Sequence, residues 1–329
     1  MSGIGSFGGR VRIAVATGAT ILALALLPGS ASVAGALSLQ GAYGSQSNLP
    51  FGGLHAPQGI AVDGAGNVYL ADTGTPQIRA LFKGQSGYQP EAALPFGPLS
   101  HPTSIAVDLS GNVYITDAGT KDHVLELPNT PVGYGTFTTL PFTGLSSPNG
   151  VAVDTAGDVF VADGGSDNKV LELPKSGSGY GTQVQLAFGS LSSPNGLAVD
   201  ANGDVYLADG GTDNRVFELP NSGGSYGSPV QLPFGGLGNP MGVAVDNHGS
   251  VFVADAARGH VLVLQHRTAV GPGVQTTAYY PQVDLPFGGS NFAPDGVAVD
   301  SHGNVYVADA GTNENRALFL PAVGGLLGV

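Results

Sequence analysis

The stretch Pro148-Asn149-Gly150-Val151-Ala152-Val153-Asp154, followed by Asp158-Val159-Phe160-Val161-Ala162-Asp163, decides the fold because its pattern recurs six times along the chain. Each copy has a proline, a variable residue, usually a glycine, and then an aliphatic residue, Ala, Val and Asp. A glycine-containing turn and a second β-branched or aromatic run follow. Such self-similarity at a nearly fixed period is the signature of a repeat architecture. The spacings are 45, 46, 46, 46 and 54 residues, and the marker prolines are Pro57, Pro102, Pro148, Pro194, Pro240 and Pro294.

Each repeat predicts one four-stranded antiparallel sheet. Two short runs, residues 60–62 and 68–70, are separated by residues 63–67, whose Asp, Gly and Asn are typical of a hairpin turn. A third run such as 170–173 and a fourth such as 183–186 complete the unit. Four-stranded units of roughly 40 to 50 residues are propeller blades, because one blade cannot bury both of its faces alone. We therefore predict an all-β, six-bladed β-propeller over residues 49–321.

The two ends of the chain predict how the ring closes. A Leu-Pro-Phe-like signature precedes every repeat, and five of the six copies complete the preceding blade as its outer strand. The first copy, Leu49 to Phe51, has no preceding blade, and the last blade stops after its third run, Arg316 to Leu320. We expect the N-terminal strand to close the last blade, since this removes an open sheet edge. Proline is tolerated in such an edge strand.

The first 36 residues have the order of a secretory signal peptide. Arg10 and Arg12 precede an apolar run over residues 13–27 and a stretch of small residues, which predicts cleavage after Ala34 or Ala36. An uncleaved membrane anchor is the alternative, but the run is shorter than the roughly 20 residues that a membrane span needs. We predict export to the cell envelope or the medium, with a linker at residues 37–48 and a C-terminal tail at 322–329.

Composition excludes several classes of partner and of covalent bond. The chain has no cysteine, so it forms neither a disulfide nor a lipid-modified thiol. Its net charge is −13, and loss of the two arginines with a signal peptide would make it more acidic. Such a surface repels phosphate backbones and anionic lipid. We predict no nucleic-acid partner and no membrane span in the mature chain, which leaves an extracellular protein, peptide or glycan.

The residues of the third repeat carry a resemblance to a known family. The two runs at 148–154 and 158–163, followed by Asn168-Lys169-Val170, resemble the NHL repeat. With Leu-Pro-Phe-Thr-Gly-Leu at 140–145, they also resemble the extracellular sensor propeller of mycobacterial receptor serine/threonine kinases. The resemblance covers residues 49 to about 321 and implies a sensor-like module. No kinase domain precedes the propeller in this sequence, so the resemblance implies nothing about phosphotransfer.

A ring of residues at one end of the propeller is the candidate binding site. Propeller ligands gather at the mouth of the axial channel, on loops that enter the innermost strand. The residue after each repeat proline lies there, and it varies while its framework stays fixed. A binding surface would vary in this way, and so would an unconstrained exposed position. The predicted ring is Gln58, Thr103, Asn149, Asn195, Met241 and Asp295.

Other polar residues are predicted to have structural roles. An Asp ends the second strand of every repeat, as Asp163 does, and another begins every first turn, as Asp154 does. A catalytic group is needed once, whereas a loop-capping hydrogen bond is needed in each blade. The seven histidines show no metal-ligand spacing: His248 and His302 lie in first turns at the opposite end from the entering loops, His266 follows a third strand, and the other four are predicted at different repeat positions. No EF-hand loop is present. We predict no catalytic residue and no cofactor, and hence a non-catalytic binding module.

A metal-dependent hydrolase is the alternative interpretation. The motifs around Asn149, Asn195 and Asp295 are similar to those of six-bladed gluconolactonase-type hydrolases. That resemblance implies a divalent cation such as calcium at these three residues, an ester carbonyl polarised by the ion, and Asp295 as base. The sequence departs from the family at two positions. Gln58 stands where the family has a second carboxylate, and Met241 stands where the family has its Asp.

The fifth repeat carries the one long insertion, from Arg267 to Gln282, with Tyr279 and Tyr280 near its end. This insertion is a candidate for a specific contact with a partner. A tolerated surface loop would look the same in sequence.

Overall fold

A computed structural model describes residues 42–267, 278–312 and 314–323, and these residues form six four-stranded antiparallel sheets without a helix. The innermost strands are Pro57–Val62, Pro102–Val107, Pro148–Val153, Pro194–Val199, Pro240–Val245 and Pro294–Val299. The second strands are Val68–Asp72, Val113–Asp117, Val159–Asp163, Val205–Asp209, Val251–Asp255 and Val305–Asp309. The third strands are Gln77–Leu81, His123–Leu127, Lys169–Leu173, Arg215–Leu219, His260–Leu264 and Arg316–Leu320. The predicted six-bladed β-propeller is confirmed.

The outer strands are shorter than the others and lie just before each Leu-Pro-Phe-like signature. In the first blade, the amide of Leu94 still donates to the carbonyl of Ile78 at 2.8 Å, but Pro95 has no N–H with which to continue the ladder. Pairing therefore ends at the proline, slightly earlier than the signature suggested. The outer strands are Ala92–Ala93, Thr138–Thr139, Val184–Gln185, Val230–Gln231, Val283–Asp284 and, in the last blade, Ser47–Asn48.

The N-terminal strand closes the last blade, as predicted. Ser47 and Asn48 pair with Phe319 and Leu318, and the amide of Leu49 donates to the carbonyl of residue 317 at 2.8 Å. The ring thus has no open edge where the two ends of the chain meet.

The closing segment starts earlier than the sequence suggested. Tyr43 forms a bridge with Ala322, so the pairing of the two ends of the chain continues beyond the outer strand of the last blade. The reason is a repeated element: a short hairpin ends in a tyrosine shortly before the outer strand. Tyr43 precedes Leu49 by the same interval as Tyr134 precedes Leu140.

The core lies between the blades. Six buried apolar clusters each combine residues from two neighbouring blades, so every interface of the ring has one. At the interface between the last and first blades, Ile60 and Leu70 pack with Ala298 and Tyr306. Burial of this apolar surface holds the blades together, because a single sheet would leave one face in water.

Within the described ranges, no helix is long and apolar enough to cross a membrane. The predicted signal peptide, residues 1–36, lies outside the described residues and stays a prediction.

Candidate functional site

The innermost strands approach one another closely around the axis, and this fixes the positions of the ring residues. A Cβ atom on Gly150 would lie 2.1 Å from the carbonyl oxygen of Asn195, and one on Gly296 would lie 2.2 Å from that of Gln58. Only glycine fits at such contacts. The residue before each of these glycines is a ring residue, so close packing of the backbones brings the predicted ring together.

The six ring residues are partly buried, except Asn195, which is buried. The side chains of Asn149 and Asn195 are neighbours, with Nδ2 of the first 3.4 Å from Oδ1 of the second. Gln58, Met241 and Asp295 follow on the other blades. The structure therefore places the six predicted residues at the same end of the ring of innermost strands, one in each blade, with blade 3, which carries Asn149, across the ring from blade 6, which carries Asp295.

One half of the ring ties blades together. Oγ1 of Thr103 donates to the carbonyl of Pro148 at 2.8 Å in the next blade. Nδ2 of Asn149 donates to the carbonyl of Pro194 at 3.2 Å, and Nδ2 of Asn195 to the carbonyl of Pro240 at 3.1 Å. These bonds give the rim a fixed shape, because each side chain is held by the neighbouring blade.

The first blade makes the same tie with a different residue. Gln58 makes no such bond, and Oγ1 of Thr73, at the end of the second strand, donates to the carbonyl of Pro102 at 2.6 Å. Sequence reasoning missed Thr73 because the other blades have Ala or Gly at this repeat position.

Asp295 is the one ionisable group of the ring, and no described residue donates a hydrogen bond to its carboxylate. Burial raises the pKa of Asp295 to about 7, and the nearby carboxylate of Asp309 adds to the shift. Asp309 itself is paired with Nε of Arg316 at 2.8 Å. Asp295 is thus a carboxylate without a counter-ion at the rim of the channel.

The Asp residues that end the second strands cap the entering loops, as predicted. Asp163 is fully buried, and its Oδ1 accepts from the amides of Ser146 at 3.0 Å and Ser147 at 2.7 Å. Four of these aspartates also pair with a basic residue of the third strand, which is the first residue of that strand in three blades and the third residue, Arg79, in the first blade. The repeated basic residue is a sequence signal that could have predicted the pairs, which are Arg79–Asp72, Lys169–Asp163, Arg215–Asp209 and Arg316–Asp309.

The Asp residues of the first turns are also structural. Oδ1 of Asp63 accepts from the amides of Ala65 and Asn67, both at 2.9 Å, and this fixes the turn. Its Oδ2 accepts from Nδ2 of Asn67 at 2.7 Å and from the hydroxyl of Tyr69 at 2.9 Å. The carboxylate of Asp63 is therefore occupied by hydrogen bonds within its own blade and is not free to bind a ligand.

The histidines take part in local contacts. His123 lies 3.5 Å from Asp117, and His260 contacts Asp284. Within the ranges that the structure describes, no three His, Asp or Glu side chains are grouped so that they could hold a metal ion.

The insertion of the fifth blade is described only at its ends, and residues 268–277 lie outside the described residues. The hydroxyl of Tyr279 donates to Oε2 of Glu218 in the preceding blade at 3.4 Å. Tyr180 makes the equivalent bond to Glu126 at 3.0 Å. The contact of Tyr279 thus belongs to the repeat, and not to the insertion.

The donor set of the ring fits a divalent cation poorly. Oδ1 of Asn149 accepts from the hydroxyl of Ser147 at 3.3 Å, and Oδ1 of Asn195 from that of Ser193 at 3.4 Å. The two amide groups are therefore engaged on both sides, by serine and by the next blade. Asp295 is then the one carboxylate of the ring, whereas calcium sites use about 6–8 oxygen ligands and usually more than one negative charge.

Comparisons with known proteins identify the repeat and the fold. The NHL repeat family matches residues 191–218, from the loop that enters the fourth blade into its third strand. No curated protein sequence matches the chain. The predicted likeness to the mycobacterial sensor propeller stays a prediction.

Solved structures with different activities share the fold. A gluconolactonase from Xanthomonas campestris has 15% identity and a TM-score of 0.60, over 82% of this chain and 87% of that one. An inactive virginiamycin B lyase from Staphylococcus aureus, solved with quinupristin, has 14% identity and a TM-score of 0.58, over 85% and 99%. A PQQ-bound aldose sugar dehydrogenase from Streptomyces coelicolor has 16% identity and a TM-score of 0.59, over 86% and 99%. Identities this low show the fold and select no activity. The chain is a six-bladed β-propeller that carries the NHL repeat.

Proposed function

We propose that this propeller is a non-catalytic binding module, and that its ligand, an extracellular protein, peptide or glycan, binds at the ring of six residues around the channel mouth. The predicted signal peptide would place it outside the cytoplasm. A sensor-like module needs a rigid frame with a variable surface, and the six blades supply the frame.

The observation that carries the proposal is the use of the ring side chains. Thr103, Asn149 and Asn195 direct their donors to the next blade, which makes a preformed rim. A preformed rim favours binding, because little conformational entropy is lost when a ligand docks. The hydrolase interpretation would need Oδ1 of Asn149 and Oδ1 of Asn195 as metal ligands, and each of these atoms already accepts a hydrogen bond from a serine hydroxyl, which weighs against it.

Metal analysis of the purified protein separates the two interpretations. We expect no stoichiometric ion, and no change of melting temperature on adding calcium or a chelator, because an ion that binds the native state would raise it. A stoichiometric ion that is lost in Asp295→Ala, together with lactone hydrolysis, would overturn the binding-module proposal.

A pair of bulky variants tests the location of the ligand. Met241→Trp narrows the mouth, and Leu109→Trp places the same side chain on a turn at the other end of the propeller, where Leu109 is 87% exposed. In a screen of peptides and glycans, we expect Met241→Trp to weaken binding and Leu109→Trp to leave it unchanged. Equal effects of the two variants would place the ligand elsewhere.

A further inference from the structure

The two halves of the mouth differ in chemistry. Four of the six repeat prolines have a carbonyl that accepts a side-chain hydrogen bond from the preceding blade, and they are Pro102, Pro148, Pro194 and Pro240. In the described chain, no side-chain donor reaches the carbonyl of Pro57 or Pro294. In the other blades the donor is either the residue after the repeat proline or the residue after the Asp that ends the second strand. These two positions hold Met241 and Ala256 in the fifth blade, and Asp295 and Ala310 in the sixth, and none of these side chains is a hydrogen-bond donor when Asp295 is ionised.

Backbone geometry shows that Asp295 occupies a position equivalent to that of Asn149. A Cβ on Gly150 would lie 2.1 Å from the carbonyl oxygen and 3.2 Å from the carbonyl carbon of the facing ring residue, and one on Gly296 would lie at 2.2 Å and 3.3 Å. The sixth blade thus meets the first as the third meets the fourth. Asp295 takes the place of Asn149, whose side chain reaches Pro194. By this equivalence we place the carboxylate of Asp295 beside the carbonyl of Pro57, and both groups are acceptors.

Neighbouring acceptors at a partly buried site favour a ligand group that donates hydrogen bonds, because an acceptor that loses water on binding costs free energy unless it is paired. No described basic side chain forms an ion pair with Asp295. The neighbouring carboxylate of Asp309 makes the local field more negative, although Arg316 offsets it. The pKa of Asp295, raised to about 7, is what such an unpaired carboxylate should have.

A ligand ammonium group matches this half of the mouth. It has three N–H donors and one positive charge, which suit one carboxylate and two carbonyl groups. The thioether of Met241 can pack against a flexible apolar stem. The ring has no aromatic side chain on which a sugar would stack, and the chain has no tryptophan. The net charge of −13 also favours a basic partner.

We propose that the half-ring of Met241, Asp295 and Gln58 binds a lysine side chain of a basic peptide segment. The ammonium group donates to the carboxylate of Asp295 and to the carbonyls of Pro57 and Pro294, and the methylene stem lies along Met241. This inference rests on the proposed binding function, because it names the ligand chemistry of the same mouth.

Calorimetric titration with two short peptides, each acetylated at its N-terminus, tests the inference. The peptides differ only at one residue, lysine in one and norleucine in the other, and glucosamine serves as the amino-sugar probe. At about pH 8, where Asp295 is ionised, we expect the lysine peptide to bind and the norleucine peptide not to bind. Asp295→Asn should weaken the lysine peptide by about tenfold or more, the loss of one charge-assisted bond.

Asp295→Asn is also expected to fold, because Asn149 and Asn195 occupy the same repeat position, and its melting curve verifies this. Asp167→Asn is the matched control, since it removes a carboxylate from the same end of the propeller at a side chain that is 68% exposed. We expect it to bind the lysine peptide as the unaltered chain does.

Three results would overturn the inference: equal affinity for the two peptides, no effect of Asp295→Asn, or binding of glucosamine without the lysine peptide. Failure of the inference leaves the proposed function in place if another ligand still binds and Met241→Trp weakens it. Failure of the proposed function shows separately, as a stoichiometric metal ion and lactone hydrolysis.

Discussion

At the scale of single residues, the first turns of the six blades can be compared position by position, and they differ in the side chain that faces the turn Asp. In three blades an Asn donates its Nδ2 to the turn Asp, at 2.7 Å from Asn67 to Asp63, 2.7 Å from Asn112 and 2.8 Å from Asn304. In the third and fourth blades an Asp stands in place of this Asn, as Asp158 does opposite Asp154. Burial raises the pKa of Asp154, and the Asp158 carboxylate adds to the shift. Two acceptors therefore face each other in the third blade, where the first, second and sixth blades have a hydrogen bond.

We expect Asp158→Asn to stabilise the protein by about 1 kcal/mol at neutral pH, because it replaces a repulsion by a hydrogen bond. The new side chain keeps the oxygen that accepts from the amide of Lys175, as Asn67 accepts from Lys83 at 2.8 Å. Urea unfolding measures the change. The reverse substitution Asn67→Asp in the first blade should destabilise at the same pH, and stabilisation by that variant would contradict the argument.

The pH dependence of this effect has a definite sign. An acid whose pKa is raised in the folded state keeps its proton longer than it does in the unfolded chain, so its contribution makes stability fall as pH rises from the unfolded pKa through the folded one. Asp154 in the unaltered chain follows this rule. The advantage of Asp158→Asn should therefore shrink on acidification toward about pH 4, where the carboxylates become protonated. An advantage that grows on acidification would refute this account.

At the scale of strands, the close approach of the innermost strands is the most demanding contact. Gly150→Ala would place a Cβ 2.1 Å from a backbone oxygen of the next blade, which cannot turn away as a side chain can. We expect a loss of more than about 3 kcal/mol, beyond the usual range of overpacking, measured by urea unfolding. Gly64→Ala is the control, because its Cβ would meet nothing within 4 Å. Similar losses in the two variants would show that glycine is not required by the ring contact.

The sequence predicted the three inner strands of each blade because their alternation and turns are local signals. It predicted the outer strands less well, since these are two-residue ladders whose end depends on a missing proline N–H. The sequence did not show the bridge between Tyr43 and Ala322, because these two residues come from opposite ends of the chain. A comparison of Tyr43 with Tyr134 and Tyr180 would have found it, because each precedes a leucine by the same interval.

At the scale of the whole molecule, the period of the sequence determined the number of blades and hence the place of the ring. It could not determine what each ring residue does. Asn149 and Asp295 differ by one atom of the side chain, but the first ties two blades and the second has no donor partner in the described chain. That difference depends on the carbonyl of the next blade, which no local pattern shows. The binding chemistry therefore follows from the closed ring and not from one repeat.

Closure of the ring by two distant segments can be tested because the chain has no cysteine. Ser47 and Phe319 are direct partners across the two edge strands of the last blade, so Ser47→Cys with Phe319→Cys should form a disulfide. The bond would close a loop that contains nearly the whole ring, for which chain entropy allows a gain of at most about 5–6 kcal/mol. The oxidised and reduced forms of the double variant both lack the Phe319 side chain, so the difference between their melting temperatures reports the disulfide alone. A higher melting temperature on oxidation is expected, and a pair that fails to oxidise in the folded protein would mean that the N-terminal strand does not close the last blade.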